Sequence, residues 1–381
     1  MRSKNKLMGA RRFRVLEQGL ILSGALWLSC GCMAVAQAQT RLAQRVAPGF
    51  DFGAKKVTGR TDGVRLDGNA YIKSPQLDAR ANTIAFDFSG KQITAVRANG
   101  SVNLKINLTP RGGGAAVRVE TRSDAASLDP VARVLVLTGN VDGFYQTAGG
   151  GRNTLRGSKA TISYPVAGQF GADVVGGSGG VQLVIPPAPA PDGTVQQIGT
   201  ITITGRNLNV NSATGTAVVT GNARAVSTGG ATRFAIAAPG FTVTRESQGG
   251  AFANLRTNGR TILKVNLPED SGAATNVVAT TNANSASAAG RPTYFEVVSD
   301  VVNINTRRNS GAAQLGAMTF DGNVAGFYRL QTPDGKTTDN RFTGEHAVVQ
   351  TNSAAASAAD NFQIEVTGAP VNIQTPFDLG F

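Results

Sequence analysis

The chain writes one unusual octet twice: GNVDGFYQ at Gly139–Gln146 and GNVAGFYR at Gly322–Arg329. Other short matches surround it. VTGR (Val57–Arg60) matches ITGR (Ile203–Arg206), and LDGNA (Leu66–Ala70) matches VTGNA (Val219–Ala223). RANGSVNLKINLTP (Arg97–Pro110) matches RTNGRTILKVNLPE (Arg256–Glu269), and Ser123-Asp124 matches Ser299-Asp300. The matches keep their order while the spacing between partners only widens, which insertions into a second copy produce and chance does not. The chain reads as a tandem duplication, with PPAPAP (Pro186–Pro191) as a stiff connector between the copies. The expected organisation is a leader over 1–38, a first unit over 39–185, a Pro-rich linker over 186–195 and a second unit over 196–381.

Each copy holds two Gly-Asn pairs, Gly68-Asn69 and Gly139-Asn140, then Gly221-Asn222 and Gly322-Asn323. They read as turns between strands, because apolar residues around them alternate with the period of a strand that buries one face. Ile84, Phe86 and Phe88 share one face, as do Val102, Leu104, Ile106 and Leu108. The second copy keeps the register, with Leu263, Val265 and Leu267 set against Ile262, Lys264 and Asn266. Lys105 and Lys264 thereby fall on the solvated face. Asp62-Gly63, Asn99-Gly100, Asn258-Gly259 and Asp334-Gly335 bound the runs as turn dipeptides. No amphipathic helix is found beyond the leader. The insertion Ser271–Gly290 and the stretch Asn352–Asp360 read as loops. Phe144 and Phe327 of the octets are expected to pack inside the sheet, and small residues such as Ala235, Ala237, Ala251 and Ala253 to leave room within it. The fold class expected is all-β.

The N-terminus carries a basic stretch, the apolar run LILSGALWL and the tripeptide Ala36-Gln37-Ala38, the pattern of a secretory signal peptide. The apolar run is too short to span a bilayer. Cys30 and Cys32 raise lipid attachment as the rival reading, but the residues ahead of them suit it poorly. Both cysteines and the single Trp belong to this leader, so the exported chain is expected to lack a disulfide, a cysteine metal site and a cysteine nucleophile. The formal charge of the whole chain is +13, and the part beyond the leader stays basic. Its charges are scattered singly, as on a solvated sheet exterior, with attraction to an anionic partner such as lipid phosphate as the other reading. No basic-aromatic platform for nucleic acid is present.

Catalytic chemistry finds little support. Gly176-Gly177-Ser178-Gly179-Gly180 satisfies G-x-S-x-G, and His346, the only histidine, follows it. A nucleophile elbow needs a helix after the serine, whereas GGVQLVIPP reads as another strand. One histidine and dispersed carboxylates offer no metal-ligand spacing. No loop that cradles phosphate precedes a helix, so no cofactor is expected. Paired carboxylates could cleave a glycoside, but the exported chain lacks the tryptophans such clefts display. The chain is read as a non-enzyme with no catalytic residue and no metal.

The stretch Val64–Ile106 resembles the OstA-like units of the lipopolysaccharide-transport bridge, the family of the LptA-type periplasmic proteins. The resemblance rests on Leu66-Asp67-Gly68-Asn69-Ala70, Leu77-Asp78-Ala79 and Ile93-Thr94-Ala95 leading to Gly100-Ser101-Val102. Val134–Pro165 and Met318–Leu330 are similar to further units. It implies two tandem β-jellyrolls of antiparallel strands in the periplasm, each sheltering acyl chains of lipopolysaccharide or a related glycolipid in an apolar groove between sheets. The groove would be lined by Val64, Leu66, Ile84, Phe86, Phe88, Val102, Leu104, Ile106, Leu108, Phe144, Leu263, Val265, Leu267 and Phe327. It also implies partners: other jellyroll proteins of the bridge, joined by edge-strand addition, and homo-oligomers. Family members are shorter, with one jellyroll. The competing readings are a structural or interaction protein of the envelope with a dry core and, as a minor third, a carbohydrate-active β-sandwich.

Overall fold

The computed structural model describes residues 51–374 except 76, 90–91, 109–116, 148–150, 165–169, 188–197, 246–251, 268–275, 281–284, 290, 310–311, 333–334 and 352–361. The leader, Ala251 and the stretch Asn352–Asp360 lie outside the described residues, as does most of the Pro-rich linker. Every helix or strand among the described residues is a strand.

β1 (Asp51–Gly53) and β2 (Lys56–Arg60) lie end to end along β3 (Gly63–Lys73). An antiparallel meander follows through β4 (Leu77–Ser89), β5 (Gln92–Leu108), β6 (Val117–Asp129), β7 (Val134–Thr147) and β8 (Arg152–Ser163). β9 (Gly171–Val175) and β10 (Val181–Ile185) again lie end to end, both on β8. The second half repeats this plan. β11 (Thr200–Gly205) and β12 (Asn207–Asn211) lie on β13 (Thr216–Thr228), which pairs with β14 (Arg233–Arg245). β15 (Phe252–Asn258) and β16 (Thr261–Asn266) share β14 as neighbour. A hairpin of β17 (Asn276–Thr280) and β18 (Ser285–Ala289) comes next, where a loop was expected from composition. β19 (Arg291–Ser299) and β20 (Val301–Asn309) then pair with β21 (Ala312–Gln331), β21 with β22 (Thr337–Thr351), and β22 with β23 (Phe362–Thr367) and β24 (Asn372–Gln374).

The ladder crosses the Pro-rich segment without a break. β10 pairs with β11 from Val181↔Gly205 to Ile185↔Ile201, and β9 with β12 from Gly171↔Asn211 to Val175↔Asn207. The described strands thus form one sheet.

The Gly-Asn pairs do not reverse the chain. Both residues of each pair have positive φ, 73° and 46° at Gly139 and Asn140 and 75° and 47° at Gly322 and Asn323. The strand nevertheless runs on through them. They are bulges, at which the register shifts between Asp67 and Ala70, Thr138 and Val141, Thr220 and Ala223, and Asp321 and Val324. Asn99-Gly100 is likewise inside β5, at a shift between Asn99 and Val102, and not a turn. Neighbouring strands shift at the same level, Arg80 to Thr83 on β4 and Arg122 to Ala125 on β6, so the bulges line up as a crease across the sheet. A bulge bends its strand and increases its twist, and a row of them folds a wide sheet over its own apolar face.

The ladder also corrects one of the matches. VTGR lies in β2, with Val57 opposite Leu66, whereas ITGR ends β11, with Ile203 opposite Ala225 across the crease. The residue opposite Val219, the counterpart of Leu66, is Leu208.

Candidate functional site

The interior of the creased sheet is the one place where most of the expected lining residues meet. Leu66, Ile84, Val102, Leu104, Leu263 and Val265 are buried in a single apolar cluster, and Val64, Phe86 and Leu267 are half-buried against it. Phe88 and Ile106 are half-buried, with Phe88 displaced by a register shift after Asp87. The side chain of Leu108 lies outside the described residues.

Phe144 and Phe327 do not join that cluster, although Phe144 is itself buried. In β7 the buried apolar residues are Leu135, Leu137, Val141 and Phe144, and in β21 they are Leu315, Met318, Phe320, Val324, Tyr328 and Leu330; Phe144 stands apart from the apolar cluster that the others join. A bulge of two residues preserves the period-two alternation, so Tyr145 and Tyr328 face inward and the phenylalanine beside each faces out. The exterior covers them locally. The Arg152 guanidinium lies 3.6 Å from the centre of the Phe144 ring, and Tyr294 packs on Phe327 with ring centres 5.6 Å apart. Lys105 and Lys264 stand on the same exterior, exposed, and reach Glu120 at 3.9 Å and Glu296 at 3.2 Å. Ala235 and Ala237 also turn outward, since Phe234 and Ile236 are the buried residues of β14. They make no room inside.

The two halves fill their interiors differently. Matching strand registers set Leu77, opposite Ile106, against Phe234, opposite Val265, and Ile84, opposite Leu66, against Phe241, opposite Val219. Val119 likewise corresponds to Phe295, Leu137 to Phe320 and Leu155 to Phe342. Phe234, Phe241, Phe295, Phe320 and Phe342 are each at most 2% exposed. Among the described residues of the first half, Leu77, Val119 and Leu155 are only half-buried. Buried alanines line both halves, Ala70, Ala79, Ala81, Ala98 and Ala126 in the first and Ala217, Ala223, Ala225, Ala238 and Ala347 in the second. Val57, Val64, Phe86, Val96, Leu128 and Ile162 are also partly open against the core. The second half is closed by rings, and the first half is lined by smaller groups and partly accessible. Ala70, Ala79 and Ala98 fall within phrases matched along the sequence, but none of the inner alanines was read there as a lining residue. Setting the copies against each other position by position would have found the aliphatic-to-Phe exchanges.

Polar groups mark the inner face as well. Asn340 is 1% exposed, and neither its amide nitrogen nor its amide oxygen has a hydrogen-bond partner. It faces Tyr328 on β21, as Asn153 faces Tyr145 in the first half. Burial pushes the Tyr328 phenol up to about 12 from 10.0. Tyr164 is also raised to about 12, by burial first and then by the nearby charge of Asp129. At the crease of the second half, buried Thr261 donates to Thr257 Oγ1 at 2.8 Å and the backbone N–H of Val302 donates to the same oxygen at 2.8 Å.

Ser178 sits in a tight turn between β9 and β10, closed by Gly180 N–H donating to Gly177 O at 3.0 Å, and a strand rather than a helix follows it. His346 stands 2.6 Å from Asp321 on the exterior. Among the described residues no group of three or more His, Cys, Asp or Glu is placed to hold a metal ion, and no helix is long and apolar enough to cross a membrane. An open cleft of about 660 Å³ lies on the bulge line of β3–β5. Asp51, Asn69, Tyr71, Lys73, Arg80, Asn82 and Ser101 line it, and only Ala70 and Ala81 offer it an aliphatic surface.

No protein-family model matches the chain, and no curated protein sequence matches it. Among solved structures it is similar to the crystal structure of LptH, the LptA-homologous periplasmic component of the conserved lipopolysaccharide transport device from Pseudomonas aeruginosa. The identity is 12% and the TM-score 0.29, over 36% of this chain and 95% of that one.

Proposed function

We propose that the chain is a non-catalytic periplasmic carrier of a lipopolysaccharide-like glycolipid on its way to the outer membrane, and that acyl chains are sheltered inside the first half of the sheet. The observation that carries this reading is the exchange of Leu77, Ile84, Val119, Leu137 and Leu155 for phenylalanines in the second half. Each methylene withdrawn from water contributes about 0.8 kcal/mol, so a half-open aliphatic trough is a favourable place for an acyl chain, whereas a trough filled by rings has no space to offer. The basic balance that remains beyond the leader supports an anionic cargo. The OstA-like phrases around Leu66–Ala70 support its identity as a glycolipid.

The packed second half favours a second role for that part of the chain, a dry spacer that lengthens the sheet. Native mass spectrometry after gentle purification tests the whole reading, with photo-crosslinking residues placed at Phe86, Leu155 and Phe320. Lipid adducts at Phe86 and Leu155 but not at Phe320 are expected. A chain that emerges lipid-free, with no adduct at any of the three, overturns it in favour of the structural protein.

A further inference from the structure

The final edge of the sheet is already occupied. β17 runs parallel to β23, with Val278 opposite Gln363, Ala279 opposite Ile364 and Thr280 opposite Glu365, and β18 completes the hairpin. These strands belong to the insertion Ser271–Gly290, which has no counterpart in the first half.

The middle of the chain shows what the same position otherwise holds. β9 stands on β8 as β23 stands on β22: Lys159 faces Val175 and Thr161 faces Asp173, where His346 faces Thr367 and Val348 faces Glu365. The far side of β9 carries β12, with Asn209 opposite Asp173 and Val210 opposite Ala172. β17 therefore takes on β23 the stretch that β12 takes on β9. At the junction that strand comes from the start of the next half. On β23 the inserted hairpin holds that stretch instead. The start of the sheet offers the matching strand, because β2 lies on β3 as β12 lies on β13, with Val57 opposite Leu66 and Leu208 opposite Val219. Among the described strands β2 pairs with β3 alone.

We infer that the β17–β18 hairpin is a built-in cap, seated where β2 of a second copy of this chain would add, and that it keeps the chain from extending its own sheet head to tail. The inference stands apart from the lipid reading. A bare strand edge is a template for another chain, and the β9–β12 pairing is an internal instance of the contact the cap prevents. Tethering gives the hairpin an effective concentration of about millimolar, so it holds the edge against a second copy at lower concentrations. Its short parallel ladder is weaker per residue than the antiparallel ladder of β9 and β12, which leaves the cap displaceable.

The test removes the cap in two ways. Ala279→Pro takes away a backbone donor and obstructs pairing along β17, and a second variant replaces Asn276–Ala289 with a short Gly-Ser linker. Each is made in the full chain with Cys30→Ser and Cys32→Ser, and carries Thr58→Cys and Glu365→Cys, the positions that correspond to Asn209 and Asp173 of the junction. The capped chain is expected to run as a single copy. Both uncapped variants, with the far-ultraviolet strand signal retained, are expected to shift to dimers and longer species by light scattering and to give a disulfide ladder under oxidation. An uncapped chain that stays single, that associates without the 58–365 disulfide, or that cross-links no more than the capped chain overturns the inference.

Discussion

Asn140 donates its side-chain amide to the Asp124 carboxylate at 2.9 Å, and Asn323 makes the same bond to Asp300 at 2.7 Å. Behind each acid a serine donates to the carbonyl two residues on, Ser123 to Ala125 and Ser299 to Val301, both at 3.0 Å. The amide bridges neighbouring chain segments at the level where both lose register, so it ties the crease rather than the flat of the sheet. Gly139 and Gly322 are required there, because their φ is left-handed and a Cβ would run into the carboxylate of Asp124 or Asp300.

Removing either bond costs modest stability. Asn140→Ala and Asn323→Ala should each lower the unfolding free energy by about 1 kcal/mol. Gly322→Ala should cost about 1–2 kcal/mol from the left-handed backbone and more from the contact, since its Cβ would lie 2.6 Å from Asp300 Oδ2. Part of that loss should return when Asp300→Ala is added. Urea unfolding of the single and double variants measures both.

Filling the first half separates an open trough from a packed one. Leu77→Phe and Leu155→Phe copy the side chains of the second half. They should reduce co-purifying lipid while changing stability by less than about 1 kcal/mol, because overpacking costs about 1–3 kcal/mol only where no space exists. Phe320→Ala in the closed half should cost about 3–5 kcal/mol. Lipid recovery and thermal unfolding on the same preparations give the comparison.

Asn340 should be a liability to the fold. A buried amide without partners costs about 1–3 kcal/mol, so Asn340→Leu should raise stability by about 1 kcal/mol. Asn340→Asp, which buries a charge in the same place, should lower it. Denaturant midpoints at neutral pH test both directions.

Alkaline pH should loosen the second half. The Tyr328 phenol has its pKa raised by burial from 10.0 to about 12. The folded state therefore keeps the proton that the unfolded state releases, and this contribution to stability is complete below pH 10 and lost as pH rises toward 12. Tyr164 adds to the same slope. Tyr328→Phe should leave neutral-pH stability nearly unchanged and make the alkaline decline shallower, as read from melting temperature against pH.

Much of the interior could be read along the chain. The alternation that groups Val102 with Leu104, and Leu263 with Val265, is a property of neighbouring residues and needs no distant contact. The outward turn of Phe144 and Phe327 was legible too, since Leu137, Val141 and Tyr145 keep one parity through the bulge. It was missed because phenylalanine is more apolar than tyrosine, whereas geometry rather than polarity selects the face. The Gly-Asn pairs were legible as left-handed positions but not as bulges, because the same two residues close a hairpin when the flanking strands pair with each other. Here those strands pair with other neighbours.

The amino-acid order by itself determined the strand content, the inward set of side chains and the correspondence of Leu104 with Leu263 or Asp124 with Asp300, because alternation and short-range backbone preference are local. Only the tertiary structure decided that β9 and β10 pair with β12 and β11 across the Pro-rich segment, and that the β17–β18 hairpin closes on β23. Those contacts run through backbone N–H and C=O groups that every residue carries alike, so no side chain announces them. The partial exposure of Leu77, Val119 and Leu155 was decided there as well, since exposure depends on which strands come to face each other and not on the side chains alone.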